Sequence, residues 1–126
     1  MNVEIVLKRE LLEMILEGAR RLHPKETIVL LRGKADRDFI KVSQVLIPPL
    51  ATYGKSFSSF PTGMLPMDFS IIGVAHSHPS GSLRPSVEDL NHPFGKITLI
   101  IASPYAGKEN VAAYDRNGNG LTIRVA

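Results

Sequence analysis

The stretch FSIIGVAHSHPSGSLRPSVEDLNHP, residues 69–93, contains the pattern on which the fold depends. Residues 69–75 are mostly apolar, which predicts a buried central strand that ends at His76. The Ser-, Gly- and Pro-rich residues 79–85 predict a loop. Ser86 then begins a short helix, which Pro93 ends. A strand, a loop and a helix therefore follow one another here, and polar side chains stand at both junctions.

His76 and His78 occupy positions i and i+2 at the end of the predicted strand. Side chains two residues apart on a strand point to the same side, so both imidazoles can bind one metal ion. Asp89 follows after ten residues, which is enough chain to turn and bring a carboxylate to the same point. Two His and one carboxylate leave a fourth tetrahedral position open, as in catalytic zinc sites. The spacing predicts one Zn²⁺ per chain.

Simpler explanations exist for each of these residues. A single His at a strand end is most often an ordinary polar residue. Ser86 and Asp89 have the spacing of a capping box at a helix start. A capping role alone would leave the His pair without an anionic partner, and Ser86 can serve both purposes. Non-haem iron oxygenases also use two His and a carboxylate, but their acid usually follows the first His by two residues.

Composition narrows the class of protein. A chain of 126 residues is sufficient for one domain, residues 1–126, with its own core. No apolar run approaches the roughly 18 residues that span a membrane, and residues 1–4 do not resemble a secretory signal. The absence of Cys excludes disulfides and thiolate metal sites and is consistent with a cytoplasmic location. A net charge of +3 with scattered basic residues does not favour nucleic-acid binding.

Outward from the stretch 69–93, the patterns predict an α/β fold. Residues 3–7 alternate weakly, which predicts an edge strand, and residues 9–22 have the apolar spacing of an amphipathic helix that His23-Pro24 ends. Residues 27–31 and 39–47 predict a hairpin around the charged turn 34–38. Further strands are predicted at 96–102, 111–114 and 121–125, the last two joined by the turn 117–120. These strands would complete one sheet.

The segment from residue 48 to residue 66 differs in character from its neighbours. Its Pro, Gly, Ser and Thr content predicts a long loop, and long loops in compact domains tend to be functional or mobile. Phe57, Phe60 and Met64 lie within it. These side chains either fill the core or, from residues 51–66, form a flap that closes over a bound substrate.

Glu26 completes a pattern that extends over most of the chain. It follows Pro24 by two residues and precedes the predicted strand 27–31. Downstream come His76-Ser77-His78-Pro79, six further residues, Ser86, two residues and Asp89. This order resembles the motif of the JAMM (MPN-plus) zinc metalloprotease family. A free-standing, Cys-free domain of this size is similar to the prokaryotic and archaeal members.

The resemblance implies a mixed, curved sheet with flanking helices, similar to the cytidine-deaminase-like architecture. It implies that zinc is held by His76, His78 and Asp89. Glu26 would transfer the proton of the attacking water to the leaving amine, and Ser86 would donate a hydrogen bond to the developing oxyanion. The implied reaction is hydrolysis of a peptide or isopeptide bond in a ubiquitin-like or sulfur-carrier-like protein substrate.

Two other functions fit a domain of this kind. One is a catalytically inert MPN-type scaffold, as in relatives that have lost metal ligands. The presence of Glu26, His76, His78, Ser86 and Asp89 argues against it, and a zinc assay would test it. The other is a DNA-repair-associated relative of the same fold, which a salt-dependent DNA-binding titration would reveal.

Overall fold

The computed structural model of the protein describes residues 3–47, 52–53, 58–59, 70–91 and 95–126. Two α-helices are described, α1 (Arg9–Leu22) and α2 (Val87–Asn91), with a 3₁₀ turn at Lys108–Asn110. The strands are β1 (Glu4–Leu7), β2 (Ile28–Ala35), β3 (Phe39–Leu46), β4 (Thr52–Tyr53), β5 (Ser58–Ser59), β6 (Ile71–His78), β7 (Ile97–Ala102), β8 (Val111–Asp115) and β9 (Gly120–Val125). The predicted bounds of α1 agree with those observed.

Seven of these strands form a mixed sheet that closes on itself, in the order β1-β3-β2-β6-β7-β8-β9. Strand β1 runs parallel to β3 and to β9, and β6 runs parallel to β7. The remaining neighbours are antiparallel. The prediction of a mixed, curved sheet is confirmed, whereas the cytidine-deaminase-like architecture stays a prediction.

The prediction that residues 3–7 form an edge strand is wrong. Strand β1 has partners on both sides, with Ile5 opposite Ile40 of β3 and opposite Ile123 of β9. All three of these side chains are buried. Both partners are distant along the chain, so a short alternating pattern carries no information on whether one or two neighbours will pair with it.

Helix α1 packs its apolar face against the sheet. Its buried residues are Leu11, Leu12, Ile15, Leu16 and Ala19. They share one core with inward side chains of the sheet such as Leu7, Leu31, Leu99 and Ile101. Burying a large aliphatic side chain contributes about 1.5–3 kcal/mol, so this contact fixes the helix against the sheet. In the part of the chain that is described, no helix is both long and apolar enough to span a membrane.

Strands β2 and β6 extend further than the sequence pattern predicts. Strand β2 continues through Gly33 to Ala35, with a register shift after Arg32. A Cβ atom at Gly33 would lie 2.0 Å from the Lys41 carbonyl oxygen, so only glycine allows this close approach. Strand β6 begins at residue 71 and continues through both His residues, because β7 pairs with it as far as His78.

The predicted long loop 48–66 lies largely outside the described residues. Within it, Thr52–Tyr53 and Ser58–Ser59 pair as a separate two-stranded antiparallel sheet. Phe57, Phe60 and Met64 lie outside the described residues. Whether they fill the core or form a flap therefore stays a prediction.

Candidate metal centre

Strand β6 carries His76 and His78 at one end of the closed sheet. His76 is opposite Ile28 of β2 and Ile100 of β7, and His78 is opposite Ala102. Because strand side chains alternate, the two imidazoles project from one face and Ser77 from the other. Neighbours on both sides hold this strand, so the spacing of the two His residues is set by paired backbone.

Both ring nitrogens of His78 have partners. Nδ1 lies 3.0 Å from the carbonyl oxygen of Ser82, and Nε2 lies 3.2 Å from Oδ2 of Asp89. Since a carbonyl oxygen can only accept, Nδ1 carries a proton and donates it. In the charged ring, Nε2 also carries a proton and donates it to the carboxylate, and loss of that proton leaves the Nε2 lone pair directed at the same point. This is the tautomer that a metal-binding His requires, oriented by a backbone carbonyl.

Asp89 is held by the first turn of α2. Its Oδ2 accepts the N–H of Ser86 at 2.8 Å, and its own N–H donates to Oγ of Ser86 at 3.0 Å. This reciprocal pair is a capping box. The same Oδ2 also contacts His78. The capping arrangement therefore points the carboxylate towards the His residues, and the two explanations of Ser86 and Asp89 are compatible.

Neighbouring charges stabilise Asp89 and His78 in their charged forms. Burial lowers the pKa of His78, but the hydrogen bond and charge of Asp89, the Ser82 carbonyl and the charge of Glu26 raise it overall. Burial raises the pKa of Asp89, but hydrogen bonds from His78 and Ser86 and the charge of His76 lower it to about 2. Asp89 is thus ionised at neutral pH, as a metal ligand must be.

The contact between His78 and Asp89 fits two ligands of one zinc ion. With bonds of about 2.0–2.1 Å, neighbouring ligand atoms of a tetrahedral site lie about 3.3 Å apart. Nε2 and Oδ2 are 3.2 Å apart. As the side chains stand, no three His, Asp or Glu residues within the described ranges are arranged to hold a metal. The structure brings two predicted ligands together, with His76 near enough for its charge to act on Asp89.

Glu26 approaches this end of the sheet from the strand beside β6. The N–H of Ser77 donates to the Thr27 carbonyl at 3.0 Å, and the N–H of Thr27 donates to Oγ of Ser77 at 2.7 Å. These bonds continue the β2–β6 register beyond Ile28, so Glu26 comes level with His78. The effect of the Glu26 charge on the pKa of His78 agrees with this position.

Two side chains that hold the site are absent from the sequence-based prediction. Ser77 is only 1% exposed, and the hydroxyl of Tyr114 donates to the Leu83 carbonyl at 2.6 Å, which ties the loop before α2 to β8. Ser77 was predictable, because a Ser between two outward-facing His residues must face inward and a buried hydroxyl needs a partner. Tyr114 was not, since its partner is 31 residues away and shows no local pattern.

Sequence comparison connects the chain to known proteins. Residues 8–117 match the family described as prokaryotic homologs of the JAB domain. Over 114 residues the chain is 38% identical to a "probable metalloprotease" of Haloferax volcanii, an alignment covering 85% of this chain and 70% of that protein.

Structural comparison gives similar results. A JAB1/MPN domain protein from Archaeoglobus fulgidus superimposes with a TM-score of 0.64 at 34% identity, covering all of both chains. A structure described as "JAMM: a metalloprotease-like zinc site in the proteasome and signalosome" gives a TM-score of 0.63 at 32% identity, over 98% of this chain and 99% of that one. A protein from Desulfitobacterium hafniense gives 0.69 at 24% identity, over 97% and 92%, which bears on the fold alone.

Proposed function

Because the chain belongs to the family of prokaryotic JAB-domain homologues, which are JAMM-type proteins, we propose that it is a zinc-dependent metallopeptidase. One observation carries the proposal. Nε2 of His78 faces Oδ2 of Asp89 at 3.2 Å, while Nδ1 is committed to a backbone carbonyl. Nε2, once a metal displaces its proton, and Oδ2 are at the spacing of two ligands of one zinc ion.

In this proposal one Zn²⁺ per chain is held by His76, His78 and Asp89. The position of His76 two residues before His78 on the same strand face supports its inclusion. The capping box orients Asp89, and the Ser82 carbonyl orients His78, as partners outside the ligand set commonly do. A bound zinc ion supplies Lewis acidity, which lowers the pKa of a water molecule and polarises a carbonyl group.

Two side chains of the protein would move or hold protons during hydrolysis. Glu26 takes a proton from the attacking water and gives it to the leaving amine. Its place at the level of His78, outside the His78–Asp89 pair, supports a role as a base. Ser86 accepts the N–H of Asp89 through Oγ, and a hydroxyl that accepts still has its own hydrogen to donate. That hydrogen would be donated to the oxyanion that forms at the scissile carbonyl.

The proposed substrate is a ubiquitin-like or sulfur-carrier-like protein, cut at a peptide or isopeptide bond of its C-terminal tail. An extended tail binds most simply by pairing with an open strand edge. In the described part of the chain, the seven strands of the closed sheet have neighbours on both sides. Among the described residues, the separate pair β4–β5, in the segment just upstream of β6, has no further strand beside it. This arrangement supports a role for residues 51–66 in substrate binding.

A hydrolysis assay tests the proposed function. The zinc-loaded protein is incubated with ubiquitin-like proteins fused through their C-terminal tails to a reporter, and cleavage is followed by mass spectrometry. We expect the wild type to cleave at the tail. Glu26→Gln should retain zinc and the fold but lose about 10²-fold or more in turnover, because an amide cannot accept the proton.

The matched control is Glu13→Gln, which makes the same chemical change on the exposed face of α1 and should leave turnover unchanged. Retained turnover in Glu26→Gln would contradict the role of Glu26, and loss of zinc would make it a ligand. A wild type that binds no zinc and cleaves no fusion would instead favour the inert scaffold, and one that binds zinc but cleaves no fusion would contradict the proposed substrate.

A further inference from the structure

Tyr105 connects the chain after β7 with the end of helix α1. The side chain is 2% exposed, and its N–H donates to the Ala102 carbonyl at 2.9 Å. Its hydroxyl shares a hydrogen bond of 2.9 Å with Nδ1 of His23. The two rings also meet edge to face, with centroids 5.5 Å apart and planes at 68°. A single side chain thus holds the residue that follows α1.

The backbone of Tyr105 is held as firmly as its side chain. The Arg20 guanidinium donates to the Tyr105 carbonyl. The φ angle of Tyr105 is +58°, a left-handed conformation that a bulky residue rarely adopts. Such conformations persist only where the surrounding structure enforces them, and they cluster at functional sites. The helix end and the β7–β8 connection therefore fix Tyr105 from two sides.

The residues that Tyr105 holds lead directly to Glu26. After His23, the N–H of Lys25 donates to the Leu22 carbonyl at 2.8 Å, and the N–H of Thr27 donates to Oγ of Ser77 at 2.7 Å. Glu26 thus lies between an anchor at His23 and an anchor at Thr27. Burial, and after it the negative charge of Glu26, raise the pKa of Tyr105, so the phenol keeps its hydrogen at neutral pH.

We propose that Tyr105 is a positioning residue for Glu26, which through its hydrogen bond to His23 holds residues 23–26 so that the carboxylate faces His78. The consequence for catalysis rests on the proposed function, whereas the positioning itself does not. The simpler explanation is that Tyr105 only fills the core, of which its ring is a part. The two explanations require different parts of the Tyr105 side chain: core filling requires the ring, whereas positioning requires the hydroxyl.

Tyr105→Phe removes the hydroxyl and keeps the ring. If the hydroxyl holds the turn, amide hydrogen exchange of Lys25 and Thr27 should accelerate about tenfold, while that of Leu99 in β7 stays unchanged. In the zinc-loaded enzyme, kcat should fall about tenfold or more with KM and zinc content unchanged, because a displaced base impairs the chemical step rather than binding. Ile123→Val, a core change on β9, is the control for a general loss of stability.

Replacement of His23 provides a second, independent test. His23→Asn retains a polar atom near the position of Nδ1, so it should keep most of the slow exchange at Thr27 and most of kcat. His23→Ala leaves the Tyr105 hydroxyl without this partner and should reproduce Tyr105→Phe. A role in core filling would not distinguish the two His23 variants by kcat.

Two results would overturn the inference. One is unchanged exchange at Lys25 and Thr27 in Tyr105→Phe. The other is a fall in kcat no larger than that of Ile123→Val. A wild type without hydrolytic activity would refute the proposed function alone, since amide exchange still decides whether the Tyr105 hydroxyl holds the turn.

Discussion

At the residue scale, Ser86 and Asp89 combine a structural role with a proposed chemical one. Oδ2 of Asp89 receives the Ser86 N–H and also faces Nε2 of His78. The N–H of Asp89 in turn donates to Oγ of Ser86. A substitution at Ser86 therefore affects the start of α2 and the site together, and only separate measurements of stability, zinc and rate can distinguish the two.

Ser86→Ala tests both roles. Loss of the N-cap oxygen should lower the free energy of unfolding by about 1 kcal/mol, measured by denaturant titration. If the hydroxyl also donates to the oxyanion, kcat should fall about 10²-fold while zinc content is retained. Ser80→Ala, a change on the same loop, should leave kcat unaffected. An unchanged kcat in Ser86→Ala would leave Ser86 with the capping role alone.

At the element scale, the β8–β9 turn is built around one carboxylate. Oδ1 of Asp115 accepts the N–H of Asn117 at 2.9 Å and the N–H of Asn119 at 3.0 Å. Burial raises the pKa of Asp115, but these backbone bonds and the Asn119 side chain lower it overall. Gly118 adopts φ +84°, which glycine does without steric cost. The turn was predictable from the Asn and Gly residues, whereas its dependence on Asp115 was not.

Asp115→Ala should make the stability of the protein less dependent on pH. Because the pKa of Asp115 is lower in the folded than in the unfolded state, its ionised carboxylate stabilises the folded protein above the unfolded pKa of about 3.9. This stabilisation is lost as pH falls through the folded pKa. We expect a loss of about 1 kcal/mol at pH 7, below the usual range for hydrogen bonds to charged groups because the turn is exposed to water. The difference from wild type should shrink below pH 4.

The control for this measurement is Asn117→Ala, which keeps the backbone N–H that donates to Asp115. Its unfolding free energy should retain the pH dependence of the wild type. A difference between Asp115→Ala and wild type that stays constant from pH 7 to pH 3 would show that the carboxylate charge does not stabilise the turn.

Local patterns predicted some elements well and others poorly, for physical reasons. Helix α1 was predictable because its apolar residues recur at helical spacing within one segment. The convergence of Asp89 on His78 was a reasonable expectation, because ten residues of loop and helix are enough chain to turn back and bring the carboxylate to the end of β6. The anchor formed by Tyr105 and His23 was not, because these residues are 82 positions apart and each looks ordinary locally.

At the scale of the whole molecule, β1 closes the sheet by pairing with β3 and β9. Closure removes the edges that would otherwise be open to other chains. The weak alternation of residues 3–7 predicted a different architecture, with β1 at an edge. Closure depends on parallel pairing of β1 with β3 and with β9, which lies near the other end of the chain. No local pattern reveals this pairing.

Amide hydrogen exchange should distinguish these two architectures. In the closed sheet, the consecutive amides of Ile5, Val6 and Leu7 should all exchange slowly, because partners lie on both sides. In an edge strand, alternate amides would face solvent and exchange rapidly. The amides of Leu99 and Ile100 in β7 serve as the slow reference. Alternating fast and slow exchange along β1 would contradict the closed sheet.

The central claim is that His76, His78 and Asp89 together bind one zinc ion. It is tested most directly by the zinc content per chain of the wild type and of His78→Ala after loading and dialysis, measured by elemental analysis. We predict about one zinc per chain in the wild type and none in His78→Ala, since a catalytic site of three protein ligands does not tolerate the loss of one. His23→Asn should retain the metal, because the ring of His23 is hydrogen-bonded to Tyr105 and is not one of the proposed ligands. A wild type without zinc, or a His78→Ala protein that retains it, would contradict the account.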